Sequence, residues 1–327
     1  MSTARTAGRI GRLLIALGLT AYLIFWKSDP SSILEAVGRA QWLWVGAALT
    51  LVVLDRLLNA WRWIVLLDAD TRQRVPATRL LRIFLVSTFV GTFFPGGVGG
   101  DVMRAWSLSR EEVAGSRAAG SVLMDRLLGV IALVLLATIG LFAGRHLLPE
   151  RFLVVALGGA GAASLVGLIA VYSNTAEAIL LRLAAGLPAA LRTPVSRLVG
   201  AMRAYSSRHG VVAAVFVMSL LVNVLRVWQT WLLGLALNLP QGAIAYFAFV
   251  PMICVLMMLP ISVAGLGVAQ AAFVWFFAHA GVASADALAL SFLFIGLAVF
   301  GNLPGAFAYA LLPGSRETET ARSRVSR

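Results

Sequence analysis

Apolar residues along this 327-residue chain fall in long runs, with polar positions gathered between them. The runs cover 10–26, 41–67, 118–142, 152–172, 211–237 and 284–312. A helix crossing a bilayer core needs about 20 mostly apolar residues, and these runs supply that length. Two further segments, 80–108 and 241–281, are equally apolar but are interrupted by proline and glycine. The pattern predicts an all-α polytopic membrane protein with about six to eight transmembrane helices and two broken or re-entrant segments. One integral membrane domain is expected over 1–313, followed by a polar tail over 314–327.

The layout also repeats. Asn59-x-x-Arg62 lies inside one apolar run and Asn223-x-x-Arg226 inside another, 164 residues on. Each is followed by a break, Pro95-Gly-Gly-Val-Gly-Gly100 in the first case and Pro260-Ile-Ser-Val-Ala-Gly265 in the second. Two halves, at approximately 10–172 and 173–313, are therefore expected to be copies of one arrangement. Repeats with helices broken at matching positions mark the substrate path of many secondary transporters.

Charge sets the sidedness. Lysine and arginine total 27 against 14 acidic residues, a net charge of +13, but charged residues of all kinds are only 13% of the chain. Soluble domains carry about 25%, so the excess belongs to loops of a membrane protein and not to a nucleic-acid surface. Arginines cluster at the N-terminus, at 72–82, at 104–117, through the stretch 173–210 and in the tail. Placing all of these in the cytoplasm makes 80–108 a hairpin that enters and leaves on one side, with both chain termini cytoplasmic. Segment 241–281, with almost uncharged flanks, fits either a matching outer hairpin or two crossings. The hairpin version makes the halves inverted copies. Leu13–Trp26 lacks a small-residue cleavage site and is expected to be a retained first span.

The first break carries the strongest chemical signal. Proline removes a backbone donor, and Gly96, Gly97, Gly99 and Gly100 favour turned backbone. Bare backbone at membrane depth must face protein or a wet cavity. Freed amides and a helix N-terminus suit an anion, with Asp101 and Arg104 one turn apart on the following helix. A glycine-lined packing contact is the alternative. No Lys-Ser/Thr follows the glycines, so this is no nucleotide P-loop. In the second break Ser262 and Gln270 supply neutral groups, which places an anionic guest nearer the first.

Charges inside spans are expensive and must pair or meet water. Arg62 and Arg226 are expected to contact lipid phosphate. For Asp125-Arg126, structural ion pairing or snorkelling is an equal reading. Trp26, Trp42, Trp44, Trp61 and Trp63 near span ends suit interfacial belts. Cys254 is alone, and His146, His209 and His279 are scattered without acidic neighbours at ligand spacing, so no disulfide, metal site or catalytic residue is expected.

Three segments carry a resemblance: Phe94-Pro-Gly-Gly-Val-Gly-Gly-Asp-Val-Met-Arg104, Ser121-Val-Leu-Met-Asp-Arg-Leu-Leu-Gly129 and Leu259-Pro-Ile-Ser-Val-Ala-Gly-Leu-Gly-Val-Ala-Gln270. In order and spacing they resemble the lysylphosphatidylglycerol synthase transmembrane-region family, also called flippase-like. The resemblance implies a membrane unit that moves an anionic or aminoacylated phospholipid between leaflets. In two-domain members, a separate cytoplasmic domain makes the lipid. That domain is not seen after the last span here, so aminoacyl transfer is not expected. The third segment ends in Ala269-Gln270, where the family often has an arginine–glutamate pair.

The expected function is thus lipid translocation in a bacterial inner membrane, with membrane phospholipid as partner and no cofactor. Candidate binding residues are Arg62, Pro95, Gly96, Gly97, Gly99, Gly100, Asp101, Arg104, Asp125, Arg126, Arg226, Pro260, Ser262, Gly265, Gly267 and Gln270. Two alternatives stay open: a membrane-embedded transferase acting on a polyprenyl- or lipid-linked substrate with Asp101 as base, and a non-transporting partner of a lipid-modifying enzyme.

Overall fold

The computed structural model describes residues 30–67, 74–94, 97–111, 113–149, 199–258 and 267–310, with isolated positions between 154 and 197. The described residues form helices and no strand. In chain order these are α1 (Pro30–Gly38), α2 (Trp42–Leu66), α3 (Ala77–Gly91), α4 (Val98–Ser109), α5 (Gly115–Ala143), α6 (His209–Ala236), α7 (Ala243–Met257), α8 (Val268–Ala278) and α9 (Ser284–Ala310). The span expected at 10–26 lies outside the described residues, as do most of 152–172 and the expected boundary between the halves.

Helices α2, α5, α6 and α9 match four of the expected spans and are 25–29 residues long, enough to cross a bilayer. Their outward faces are apolar: Leu43, Val53 and Leu57 on α2, Phe142 on α5 and Phe307 on α9 are all exposed. A soluble protein rarely shows apolar surface on this scale, whereas lipid requires it.

Between the long helices lie two pairs of short ones. Helix α3, 15 residues long, starts behind Pro76, whose fixed φ suits a helix entry. It runs only about 22 Å at 1.5 Å per residue, less than the ~30 Å of a hydrocarbon core. Gly97, at φ 71, turns the chain into α4. The two helices return on each other: a Cβ at Gly91 would stand 3.1 Å from Gly100 Cα, Arg104 donates to Ser87 Oγ at 3.2 Å, and Arg79 meets Glu111 at 2.7 Å. Residues from the tip to the open end therefore face one another in antiparallel order. Segment 80–108 is a helical hairpin with both ends together, as its arginine-rich flanks require.

Segment 241–281 settles the same way. Gln241 donates to Ala280 O at 3.1 Å, Tyr246 meets Phe277 at 5.1 Å and Phe249 meets Phe276 at 5.6 Å. Helices α7 and α8, of 15 and 11 residues, are thus antiparallel neighbours, each too short for a full crossing. The hairpin arrangement holds, not two crossings.

The sequence of lengths, long–short–short–long, occurs in α2–α5 and again in α6–α9. The copies are inverted. Helices α2 and α6 pack antiparallel, with Gln41 donating to Asn238 Oδ1 at 2.6 Å, Gln229 to Leu51 O at 3.3 Å and Arg62 to Ser219 Oγ at 3.2 Å. Each long outer helix packs on the other half's hairpin, α5 on α7 and α9 on α3. Glycines make both contacts close: a Cβ at Gly140 would strike Phe247 O, and one at Gly305 would strike Leu85 O. Small residues let helix backbones approach where lipid gives no hydrophobic drive to associate.

One aromatic expectation fails. Trp42 and Trp61 are exposed, but Trp63 is 0% exposed and donates to Ser121 Oγ at 3.3 Å. Its position on the α2 face turned toward α5, not its distance from the span end, decides its environment.

Candidate functional site

Where the halves meet, arginines from four helices converge. Arg62 of α2 donates through Nε to Asp125 Oδ1 at 2.8 Å, and Arg104 of α4 donates through Nη1 to Asp125 Oδ2 at 3.4 Å. One carboxylate on α5 therefore serves two guanidiniums. All three residues are less than a tenth exposed. Arg104 also lies 4.3 Å over the Phe84 ring and 5.4 Å from that of Trp63. An aromatic face offsets part of the cost of holding a cation out of water.

The next residue on α5, Arg126, donates to Asp101 Oδ2 at 2.6 Å, and this pair is about a quarter to a third exposed. Earlier on α2, Arg56 pairs with its neighbour Asp55 at 3.2 Å. Arg226, from α6, donates to Asn223 Oδ1 at 3.4 Å and lies against the Cys254 thiol of α7. Both asparagines of the repeated motif make the same bond: Asn59 Nδ2 donates to Asp55 O at 2.9 Å, and Asn223 Nδ2 to Ser219 O at 3.0 Å. Because α2 and α6 are antiparallel, the motif arginines lie on opposite sides of the central asparagines. Arg62 faces Ser219, and Arg226 reaches toward Asp55 and Arg56.

Two cavities of about 280 Å³ flank this cluster. The first lies between the α3–α4 hairpin and α9, reached by Ser87, Thr92, Gly97, Asn302 and, from the other hairpin, Met257. The second is lined by Arg56, Arg62, Asp125, Asn223, Arg226 and Cys254. Thr88, Asp101, Arg104 and Arg126 line both, so the Asp101–Arg126 pair stands on their shared wall.

The structure brings together Arg62, Asp101, Arg104, Asp125, Arg126 and Arg226 of the sequence-derived set, with Gly97 and Gly100 beside them on the first cavity. Pro95, Gly96, Pro260, Ser262 and Gly265 lie outside the described residues. The glycines divide by role. Gly97 needs its positive φ, and a Cβ there would lie 2.6 Å from Arg126 Nη2. Gly99 fits under the Phe94 ring and Gly100 against Ser87 O, both close packing contacts within the hairpin. Since α4 starts at Val98, the amides of Gly99 and Gly100 belong to its first turn. In the second half, Gly267 has φ 80 and its N–H donates to Gln270 Oε1 at 2.6 Å, which ties down the start of α8.

Sequence reasoning missed Ser87, Ser219 and Asn302. Ser219 was signalled by the repeat itself, since it stands 164 residues beyond Asp55. Asn302, which donates to Thr92 Oγ1 at 2.8 Å, was the one amide inside the last apolar run.

Against known families, the model described as "Lysylphosphatidylglycerol synthase TM region" matches residues 9–305. The chain belongs to this family. No curated protein and no solved structure matches it. Membership makes it a multi-pass membrane protein of lipid-metabolism or flippase type. Within this family member, the first two of the three segments that carried the resemblance supply Asp101, Arg104, Asp125 and Arg126 to one cluster.

Proposed function

We propose that the protein is a lipid translocase that passes the head group of an anionic or aminoacylated phospholipid through the arginine cluster between its inverted halves. The acyl chains stay in the bilayer beside the outer helices. One observation carries this reading: a guanidinium-rich cavity at the contact of two antiparallel hairpin-bearing halves. Buried cations of this kind face a pathway far more often than lipid, and inverted repeats allow one site to be approached from either side. The arginine-rich flanks support a bacterial inner-membrane location with N- and C-termini in the cytoplasm. Movement would run down a gradient or be coupled to one.

The test is reconstitution of the purified protein in liposomes with a fluorescent phosphatidylglycerol, followed by chemical quenching of the outer leaflet. The expected result is loss of the protected inner-leaflet signal in proteoliposomes and its retention in protein-free vesicles. Replacing Arg104 by Gln should slow this at least tenfold, because a charge-assisted contact to phosphate is lost. An R104Q protein that elutes as a single folded species and moves lipid at the full rate would remove the phosphate-site assignment. Formation of a new lipid product in the same vesicles would favour the transferase reading, and neither activity the assembly-partner one.

A further inference from the structure

The charge inventory around the second cavity narrows the cargo. Its walls carry Arg56, Arg62, Arg104, Arg126 and Arg226. Against these five guanidiniums the described residues place three carboxylates: Asp101 on Arg126, Asp125 between Arg62 and Arg104, and Asp55 on Arg56. Two positive charges are left over. One belongs to the trio in which Asp125 is shared. The other belongs to Arg56 and Arg226, which share Asp55: Arg56 bonds its carboxylate at 3.2 Å, while Arg226 lies near it and hydrogen-bonds Asn223.

The geometry sets these two surpluses apart. Arg226 lies toward Asp55 and Arg56, and Arg56 Nε is a buried donor with no partner. Arg62, six residues further along α2 than Arg56, is about 9 Å away along the helix axis. Asn59 stands between them on the same wall. All five guanidiniums line one cavity, so a single guest can meet both surplus charges, and a guest with one negative charge leaves half of the surplus unmet.

We infer that the head group taken by this site is dianionic, a phosphomonoester or a diphosphate, in preference to a phosphodiester or a zwitterion. The inference rests on the translocase reading and selects within it. A group with one phosphodiester charge neutralises half of the surplus. An ammonium-bearing head group adds positive charge to a site already in excess. A phosphomonoester carries close to two charges above its second pKa of about 6, and a diphosphate carries at least as many.

The experiment compares three fluorescent lipids of the same acyl composition in proteoliposomes at pH 8: phosphatidic acid, phosphatidylglycerol and phosphatidylethanolamine. Phosphatidic acid is expected to cross at least tenfold faster than phosphatidylglycerol, one extra charge-assisted contact accounting for about that factor. The ratio should shrink as pH falls through about 6, where the phosphomonoester gains a proton. In Arg226→Gln the ratio should fall at least fivefold, with partial rescue by Arg226→Lys. The comparison among lipids in the unaltered protein stands even if these variants fail to fold.

Inorganic diphosphate added to the same vesicles separates lipid from free anion. Competition without entry of radiolabelled diphosphate supports a lipid head group, and entry of the label overturns the lipid assignment. Equal rates for the first two lipids, or faster movement of phosphatidylethanolamine, would overturn the dianion inference and leave translocation standing. No movement of any of the three would overturn both.

Discussion

The two hairpins are built on one plan and filled with opposite chemistry. In α3–α4 polar contacts run beside an apolar patch of Leu80, Ile83, Phe84 and Leu108: Arg79 with Glu111, Arg104 with Ser87, and Asp101 reaching Arg126 of α5. In α7–α8 the contacts between the two helices are aromatic. Tyr246, Phe249, Phe273, Phe276 and Phe277 are buried against one another, with Phe273 and Phe277 stacked at 5.7 Å. Backbone symmetry thus coexists with an asymmetric interior. The second hairpin is a packed apolar wedge whose residue Met257 lines the first cavity, while the first hairpin carries the charge. In the proposed translocase the first hairpin would meet the head group and the second would hold the scaffold.

The largest effect should come from removing the acid at the centre of the charged half. Asp125→Ala leaves Arg62 and Arg104 buried beside each other without a counter-charge. Breaking a buried pair in this way costs about 3–5 kcal/mol, and here one carboxylate serves two cations. The expected result is a marked loss of folded protein, read as monodisperse yield and thermal midpoint in detergent. A variant with unchanged stability would mean that the cluster is fully hydrated and not a buried network.

A smaller effect distinguishes the hairpins directly. Gly97→Ala and Gly267→Ala each place a Cβ at positive φ, costing about 1–2 kcal/mol. Both variants should lose thermal midpoint, G267A at least as much as G97A, since φ 80 with ψ −54 at Gly267 lies outside the left-handed region that other residues can reach. At Gly97 the new methyl also presses on Arg126. Lipid movement should therefore drop several-fold further in G97A than in G267A. Equal activities would erase the functional difference between the two halves.

The smallest change belongs to the apolar hairpin. The Tyr246 hydroxyl is buried without a hydrogen-bond partner among the described residues. Tyr246→Phe removes an unsatisfied polar atom and keeps the ring, so stability should be unchanged or rise by a few tenths to about 1 kcal/mol. A clear fall in thermal midpoint would show that this hydroxyl has a partner and that the second half is less apolar than its packing indicates.

Much of this architecture could be read from order along the chain. Apolar run length specified α2, α5, α6 and α9, because a bilayer demands helices of that length whatever they pack against. Proline and glycine marked both breaks, since neither residue type continues a helix cheaply. The offset between Asn59-x-x-Arg62 and Asn223-x-x-Arg226 announced the repeat, and the arginine distribution implied that 80–108 returns to its starting side.

Tertiary structure alone decided who pairs with whom. That Asp125 serves Arg62 and Arg104 while its neighbour Arg126 turns to Asp101 depends on which faces of α2, α4 and α5 meet. Spacing within one helix says nothing of that, because successive residues on a helix point about 100° apart and their partners lie on other elements. The same cause hid the burial of Trp63 and the packing roles of Gly99 and Gly100. Sequence placed the charges at membrane depth, where they must be satisfied. The antiparallel crossing of α2 and α6 gathered them from both halves onto one cavity with more cations than anions.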